Sequence, residues 1–410
     1  MYQLNNAHAS AEPLGGISDN KLTCPTPKED NKKRGCRELE KNGDINGDIW
    51  WHLRASPGVN AEEAWKYSRR MGKPEKGEGI MIAMPDTGYG NHVFTGTYDA
   101  SAKRAVWKNT TFKSRGHNFR EGGSNACDPM KTWFGQNGHG TMVAALAAGD
   151  GEQRDKYGHF QPGAAPKAGV MPLRVLTHVA SHDANDRLRQ AIDYAKHNKA
   201  HVVSMSIGSV AIGADLRKVK MAIDDAINHN MILVAAGGQG WNFLTVTANA
   251  VFPSSYEQVI SVGGINTKSE YWYGGFKGED IAFTGPAKDV CVALAKQGPL
   301  ESKLGVGTSI STALTAGVAA LWLAHHGRDE LISVATQRDE KLQHLFCKAV
   351  EASVNKPSNW KENRRGAGII DALALLQQDL LDLANLPAGK TRHCTMRPCS
   401  EDDACTVGKH

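Results

Sequence analysis

Three short segments of this 410-residue chain carry side chains able to do covalent chemistry. Asp86-Thr87-Gly88 sets a carboxylate where an apolar run stops. Asn137-Gly138-His139-Gly140-Thr141 sets an imidazole between two glycines, at the head of the Ala-rich stretch 142–149. Gly307-Thr308-Ser309 sets a hydroxyl at the start of a second small-residue stretch, 310–322. A carboxylate, an imidazole and a hydroxyl are the parts of an activated serine nucleophile. A serine just inside a helix start also gains backbone N–H groups and the positive helix end for a developing oxyanion. Each segment alone has a plainer reading. Acid–Thr–Gly is ordinary turn chemistry, a lone histidine is commonly structural, and a serine at a helix start is commonly an N-cap.

Taken together, the three come in the order Asp86, His139, Ser309. In that order and setting the chain resembles the subtilisin-like serine proteases, the subtilases, over about residues 50–382. Ser204-Met205-Ser206-Ile207-Gly208 is similar to the family's substrate-binding strand, and Gly366-Ala367-Gly368-Ile369-Ile370-Asp371-Ala372 to its entry into a closing helix. The resemblance implies that Ser309 attacks the scissile carbonyl, that His139 takes and returns the proton, and that Asp86 orients the imidazole. It makes the Ser309 N–H one oxyanion donor. It also assigns Ser206, Ile207 and Gly208, with Ala235, Ala236 and Gly237 opposite, to an extended polypeptide substrate bound by strand addition. Both segments also read simply as buried strands.

The resemblance has gaps. The family's oxyanion side chain is an Asn in A-A-G-N-x-G, and here Gly238 occupies its place in Ala235-Ala236-Gly237-Gly238-Gln239-Gly240. Either Gln239 supplies the donor, or Asn242 does, or the hole is half-empty and the enzyme slow or specialised. After the nucleophile, Ser311 and Ala313 stand where the family has Ala and Pro. Pro85 removes a ladder N–H, which suits a strand end and not its middle. The 53-residue interval from Asp86 to His139 is long; residues 98–133, including Cys127, read as an insertion near the cleft or an inert elaboration. Structural calcium is common in the family, yet no loop matches a known site; 150–155 is the acid-containing candidate. The reaction itself requires no cofactor.

Elements that could position these residues follow from the apolar pattern. Strands are expected at 79–84 (GIMIAM), 169–175 (GVMPLRV), 200–207 (AHVVSMSI), 231–236 (MILVAA), 258–263 (QVISVG) and 290–294 (VCVAL). Leu188, Ala191, Ile192 and Ala195, and Leu216, Val219, Ala222, Ile223, Ala226 and Ile227, recur at helical spacing. Near-continuous apolar strands alternating with helices predict an α/β three-layer sandwich around a mainly parallel, doubly wound sheet. Its ligands bind outside the carboxyl ends of the strands. Residues 1–47 read as a polar, flexible leader without the alternation a folded pro-domain needs. Residues 48–384 read as the subtilisin-like catalytic domain and 385–410 as a Cys-containing tail.

Composition excludes other classes. With 40% hydrophobic residues and 43 glycines the chain is globular. Its +5 charge, from 48 basic and 43 acidic residues, is too mild for a nucleic-acid partner. No apolar run reaches the roughly 18 residues of a membrane span. The N-terminus lacks the basic start and apolar core of a secretory signal, so the chain is intracellular or has lost its leader. The 8 cysteines form no CxxC pair; His393, Cys394, Cys399 and Cys405 are a remote metal-site candidate against a loose tail of free or bridged thiols. The expected activity is a serine endopeptidase working through an acyl-enzyme, with medium or large apolar side chains before the cut. The rivals are an acyl-transfer enzyme of the same fold and a catalytically weak binding module, the latter prompted by Gly238. Substrate identity and oligomeric state are not legible in the sequence.

Overall fold

The structure is a computed structural model and describes Cys36, residues 48–99, 106–108, 111–113, 116–131, 136–179, 184–208, 215–239 and 251–389, and Cys394. A seven-stranded sheet runs through the middle in the order β4-β5-β1-β6-β7-β8-β9. Its members are β1 (Met81–Asp86), β4 (His117–Asn118), β5 (Gly169–Arg174), β6 (Val202–Met205), β7 (Ile232–Ala236), β8 (Ile260–Ile265) and β9 (Phe283–Pro286). Every pairing in it is parallel. A short ribbon of β2 (Thr97–Asp99) and β3 (Val106–Lys108) lies outside this sheet. So does an antiparallel hairpin of β10 (Lys288–Ala293) and β11 (Ser302–Val306).

The strands are apolar almost throughout because both faces are covered. Ile82, Met84, Val202, Ile232 and Val234 belong to one core; Ala83, Val203, Leu233 and Ala235 alternate into the other. The first core takes α1 (Ala61–Arg70), α2 (His139–Ala148), α5 (Thr308–His326), α6 (Arg328–Gln337) and α7 (Leu342–Ser353). The second takes α3 (Asn185–His197) and α4 (Asp215–Asn228). This is the three-layer arrangement that the sequence pattern predicts. α5 is the hub: almost its whole length is buried, including Trp322.

The chain leaves β1 for β5 on one side and then crosses to β6 on the other. The order therefore reverses at β1, and a crevice opens at its carboxyl end, where Asp86 stands. β1 runs two residues past the apolar run read from sequence and takes in Pro85. The β1–β6 ladder ends at Ala83, so Pro85 sits past that pairing and near the strand's end.

Two disulfides tie the chain ends to this body. Cys36, within the segment read as a leader, is fully buried and joined to Cys291 of β10. Cys394, within the tail, is joined to Cys347 of α7. That bond corrects the metal-site candidate in the tail, since a bridged sulfur is no thiolate ligand; His393, Cys399 and Cys405 lie outside the described residues. Among the described residues no helix is long and apolar enough to cross a membrane.

Candidate active site

Asp86 ends β1 and is 1% exposed. Its Oδ1 accepts the N–H of Thr87 at 2.7 Å, and its two oxygens lie 2.8 and 3.0 Å from His139 Nδ1. The imidazole therefore presents Nε2 outward. Close approach makes this possible: a Cβ at Gly140 would run into the Gly88 carbonyl and stand 3.3 Å from Asp86 Cβ, so only glycine lets α2 press onto the end of β1.

A second acid holds both partners in place. Asp128 is 2% exposed; its Oδ2 accepts the N–H of Gly138 at 2.7 Å and the Thr87 hydroxyl at 3.3 Å, and its Oδ1 accepts the N–H of Met130 at 2.9 Å. Burial raises its pKa, against the opposing pull of those N–H groups. Asp128 thus binds the neighbours of Asp86 and His139, which favours the reading of this part of 98–133 as an insertion near the cleft over an inert elaboration, although the sequence did not single Asp128 out. Its neighbour Cys127 is fully buried and disulfide-bonded.

Arg174, beside Asp86 in the β1–β5 register, is also buried. Its guanidinium grips Glu121 with two bonds of 2.7 and 2.8 Å and donates to the Thr87 and Leu176 carbonyls. Burial opposes the Glu121 charge, but the Arg174 guanidinium outweighs it and holds that carboxyl below its usual range.

Ser309 is the second residue of α5, behind Gly307, whose φ of +145° favours glycine. Its hydroxyl donates to the Ser206 carbonyl at 3.4 Å, and Ser206 Oγ returns a bond to the Ser309 carbonyl at 3.2 Å. Among the described residues no hydrogen bond joins Ser309 Oγ to His139 Nε2; both residues line one cavity of about 330 Å³. Ser311, where the family has Ala, is fully buried and spends its hydroxyl on the Thr308 carbonyl at 2.8 Å, so it is satisfied.

Gly238 and Gln239 lie against the start of α5. The Gly238 N–H reaches Thr308 Oγ1 at 3.3 Å. Gln239 Oε1 comes within 3.0 Å of where a Cβ on Gly307 would be, and among the described residues its side-chain amide has no hydrogen-bond partner. Asn242 lies outside the described residues. Gly238 itself has φ +96°, and a Cβ there would sit 2.6 and 2.8 Å from two ring carbons of Phe276.

Of the residues read as substrate walls, Ser206, Ile207, Gly208 and Ala236 line the cavity, together with Gly238 and Gln239. Ala235 and Gly237 do not. Ala235 is fully buried and turned into the second core, and the Gly237 N–H is taken by the Val262 carbonyl at 2.9 Å. The Gly208 N–H, which strand addition would offer to substrate, donates to the Val179 carbonyl at 2.6 Å; the Val179 N–H in turn donates to Gln136 Oε1. On the far side stand Leu294, Leu304 and Val306 of the β10–β11 hairpin region. Among the described residues no cluster of three or more His, Cys, Asp or Glu is placed to hold a metal. In the 150–155 loop, Asp155 is spent on closing a turn: its oxygens accept from the Tyr157 and His159 N–H groups and the Ser302 hydroxyl.

Known proteins resemble this chain in sequence and fold. The family described as the subtilase family, peptidase S8, matches residues 77–368. The major intracellular serine protease of Bacillus subtilis is 26% identical over 265 residues, covering 64% of this chain and 72% of that protein. The minor extracellular protease Epr of the same organism is 28% identical over 200 residues, which is 49% of this chain and 28% of Epr. Among solved structures, the serine protease MycP1, titled as an essential component of the type VII (ESX-1) secretion system, aligns with TM-score 0.58 at 20% identity. That alignment covers 87% of this chain and 93% of MycP1.

Proposed function

The chain belongs to the subtilase family of serine proteases, and from that premise we propose that it is an endopeptidase with Ser309, His139 and Asp86 as its catalytic residues. One observation carries the proposal: at the carboxyl end of β1, His139 Nδ1 is fixed by Asp86, while Ser309 heads α5 across the same cavity. In the reaction, Ser309 Oγ leaves the Ser206 carbonyl, passes its proton to His139 Nε2 and bonds to the scissile carbonyl carbon. The buried Asp86 stabilises the imidazolium. The tetrahedral oxyanion is met by the Ser309 N–H at the positive end of α5 and by the Gln239 amide, which among the described residues has no other bond to give up. His139 then protonates the leaving amine, and water repeats the sequence on the acyl-enzyme. No cofactor enters this scheme.

The substrate is a polypeptide entering in extended form along Ser206–Gly208. Reaction of a fluorophosphonate with the purified protein tests the reading. We expect one label per chain, on Ser309, abolished by Ser309→Ala and slowed about 10²–10³-fold by Gln239→Ala. Absence of label on the wild type would refute it and favour the second reading that Gly238 supports, a subtilase fold kept for binding. Hydrolysis and acyl transfer separate by product analysis with an added amine; we expect free carboxyl ends.

A further inference from the structure

We propose that Val251 sets the size of the side chain accepted before the scissile bond, and that it restricts this residue to Gly, Ala or Ser. The proposal rests on the reading of Ser309 as nucleophile. The side-chain pocket lies past the carboxyl ends of β6 and β7, between Ile207 and Gly208 on one wall and Ala236 and Gly238 on the other. In sequence, those glycines and alanines suggest an open pocket. The structure gives the glycines a different reason.

A Cβ on Gly208 would stand 2.5 Å from Val251 Cγ2, and a Cβ on Gly238 would stand 3.1 Å from the same methyl. One methyl of Val251 therefore spans the gap from wall to wall. The Phe276 ring also crowds Gly238, 2.6 Å from that Cβ position. Both glycines make room for the protein's own side chains, not for the substrate's. Val251 lines the same cavity as Ser309 and His139, so it meets the residue whose carbonyl is attacked. Space closed by a methyl leaves room for another methyl but not for a ring or a branched chain. Pockets of this kind discriminate by about 10–200-fold per misfitted methylene.

The experiment uses three fluorogenic tetrapeptide anilides that differ only in Ala, Leu or Phe before the cut, with a fluorophosphonate that carries no side chain as a separate probe. For the wild type we expect kcat/KM for the Ala peptide to exceed that for Leu and Phe by about tenfold or more. Val251→Gly should raise the Leu and Phe values enough to level or invert that order. Val251→Ala, which keeps Cβ, should move the ratio the same way by a smaller step. Faster wild-type cleavage after Leu or Phe than after Ala, or a ratio unchanged in both variants, would overturn the proposal while labelled Ser309 left the protease reading standing. A wild type that neither labels nor cleaves any of the three would sink both.

Discussion

Gly238→Asn restores the residue that the family carries at the oxyanion position, and the structure predicts that it harms the enzyme. A donor of this kind is worth roughly 10²–10³ in kcat, about 2.7–4 kcal/mol, the value known for subtilisin itself. Against that gain stand two costs. The backbone at Gly238 has φ +96°, beyond the left-handed region that Asn tolerates, which costs about 1–3 kcal/mol. A Cβ would also stand 2.6 and 2.8 Å from the Phe276 ring, and overpacking a filled site costs about 1–3 kcal/mol more. Even if the substituted side chain fits, it is pushed away from the donor position by the ring that displaces it. We expect Gly238→Asn to lower Tm by about 4–12 °C, at about 2 °C per kcal/mol for a chain of this size, and to label with fluorophosphonate no faster than wild type. Gly238→Asn with Phe276→Ala should recover part of the labelling rate. A single variant with unchanged Tm and tenfold faster labelling would refute the reasoning, because it would require the space beside Gly238 to be empty.

Three further outcomes follow from groups already described. Asp128→Asn turns an amide toward an N–H that now has a carboxylate oxygen, at about 1–3 kcal/mol, and should slow labelling of Ser309 at least tenfold with a Tm loss of a few degrees; an unchanged labelling rate would remove Asp128 from the positioning of His139. Burial lowers the pKa of His52 to about 3 and of His92 to about 4, so both stay neutral in the fold but charge below about pH 6.5 when unfolded. Burial lowers the pKa of His325, His326 and His344 in the same sense, so the stability is present above pH 6.5 and is lost as pH falls toward 4, with several protons taken up on unfolding. His52→Gln with His92→Gln should cut that uptake by about two protons, read from the slope of urea-unfolding free energy against pH. Asp224 works in the opposite sense: burial pushes its pKa up to about 6, so its contribution weakens as pH rises from about 4 to 6, and Asp224→Asn should flatten the profile in that window.

The sheet was legible because both its faces are covered, which leaves runs such as ILVAA unbroken by polar residues. The placement of the three residues proposed as catalytic was legible for a related reason: Gly138, Gly140 and Gly307 leave a mark in sequence wherever backbones must pass closely. Asp128 left no such mark, since its value depends on a turn that carries it under Gly138. The crowding beside Gly238 was not legible because it comes from Phe276, distant in sequence, and Val251 was overlooked because one methyl cannot be seen to touch two distant segments. The cysteine pairings were equally hidden, since eight cysteines allow many connectivities.

For a protein that digests proteins, the bridge between Cys36 and Cys291 has a further effect. The two cysteines are separated by 255 positions, and that interval contains Asp86 and His139. A self-inflicted nick anywhere inside it produces two polypeptides that remain one covalent molecule, with the proposed acid and base still tied to the fragment that carries Ser309. Aged preparations should therefore run as a single band without reductant and fall into pieces with it, while retaining their capacity to take up label.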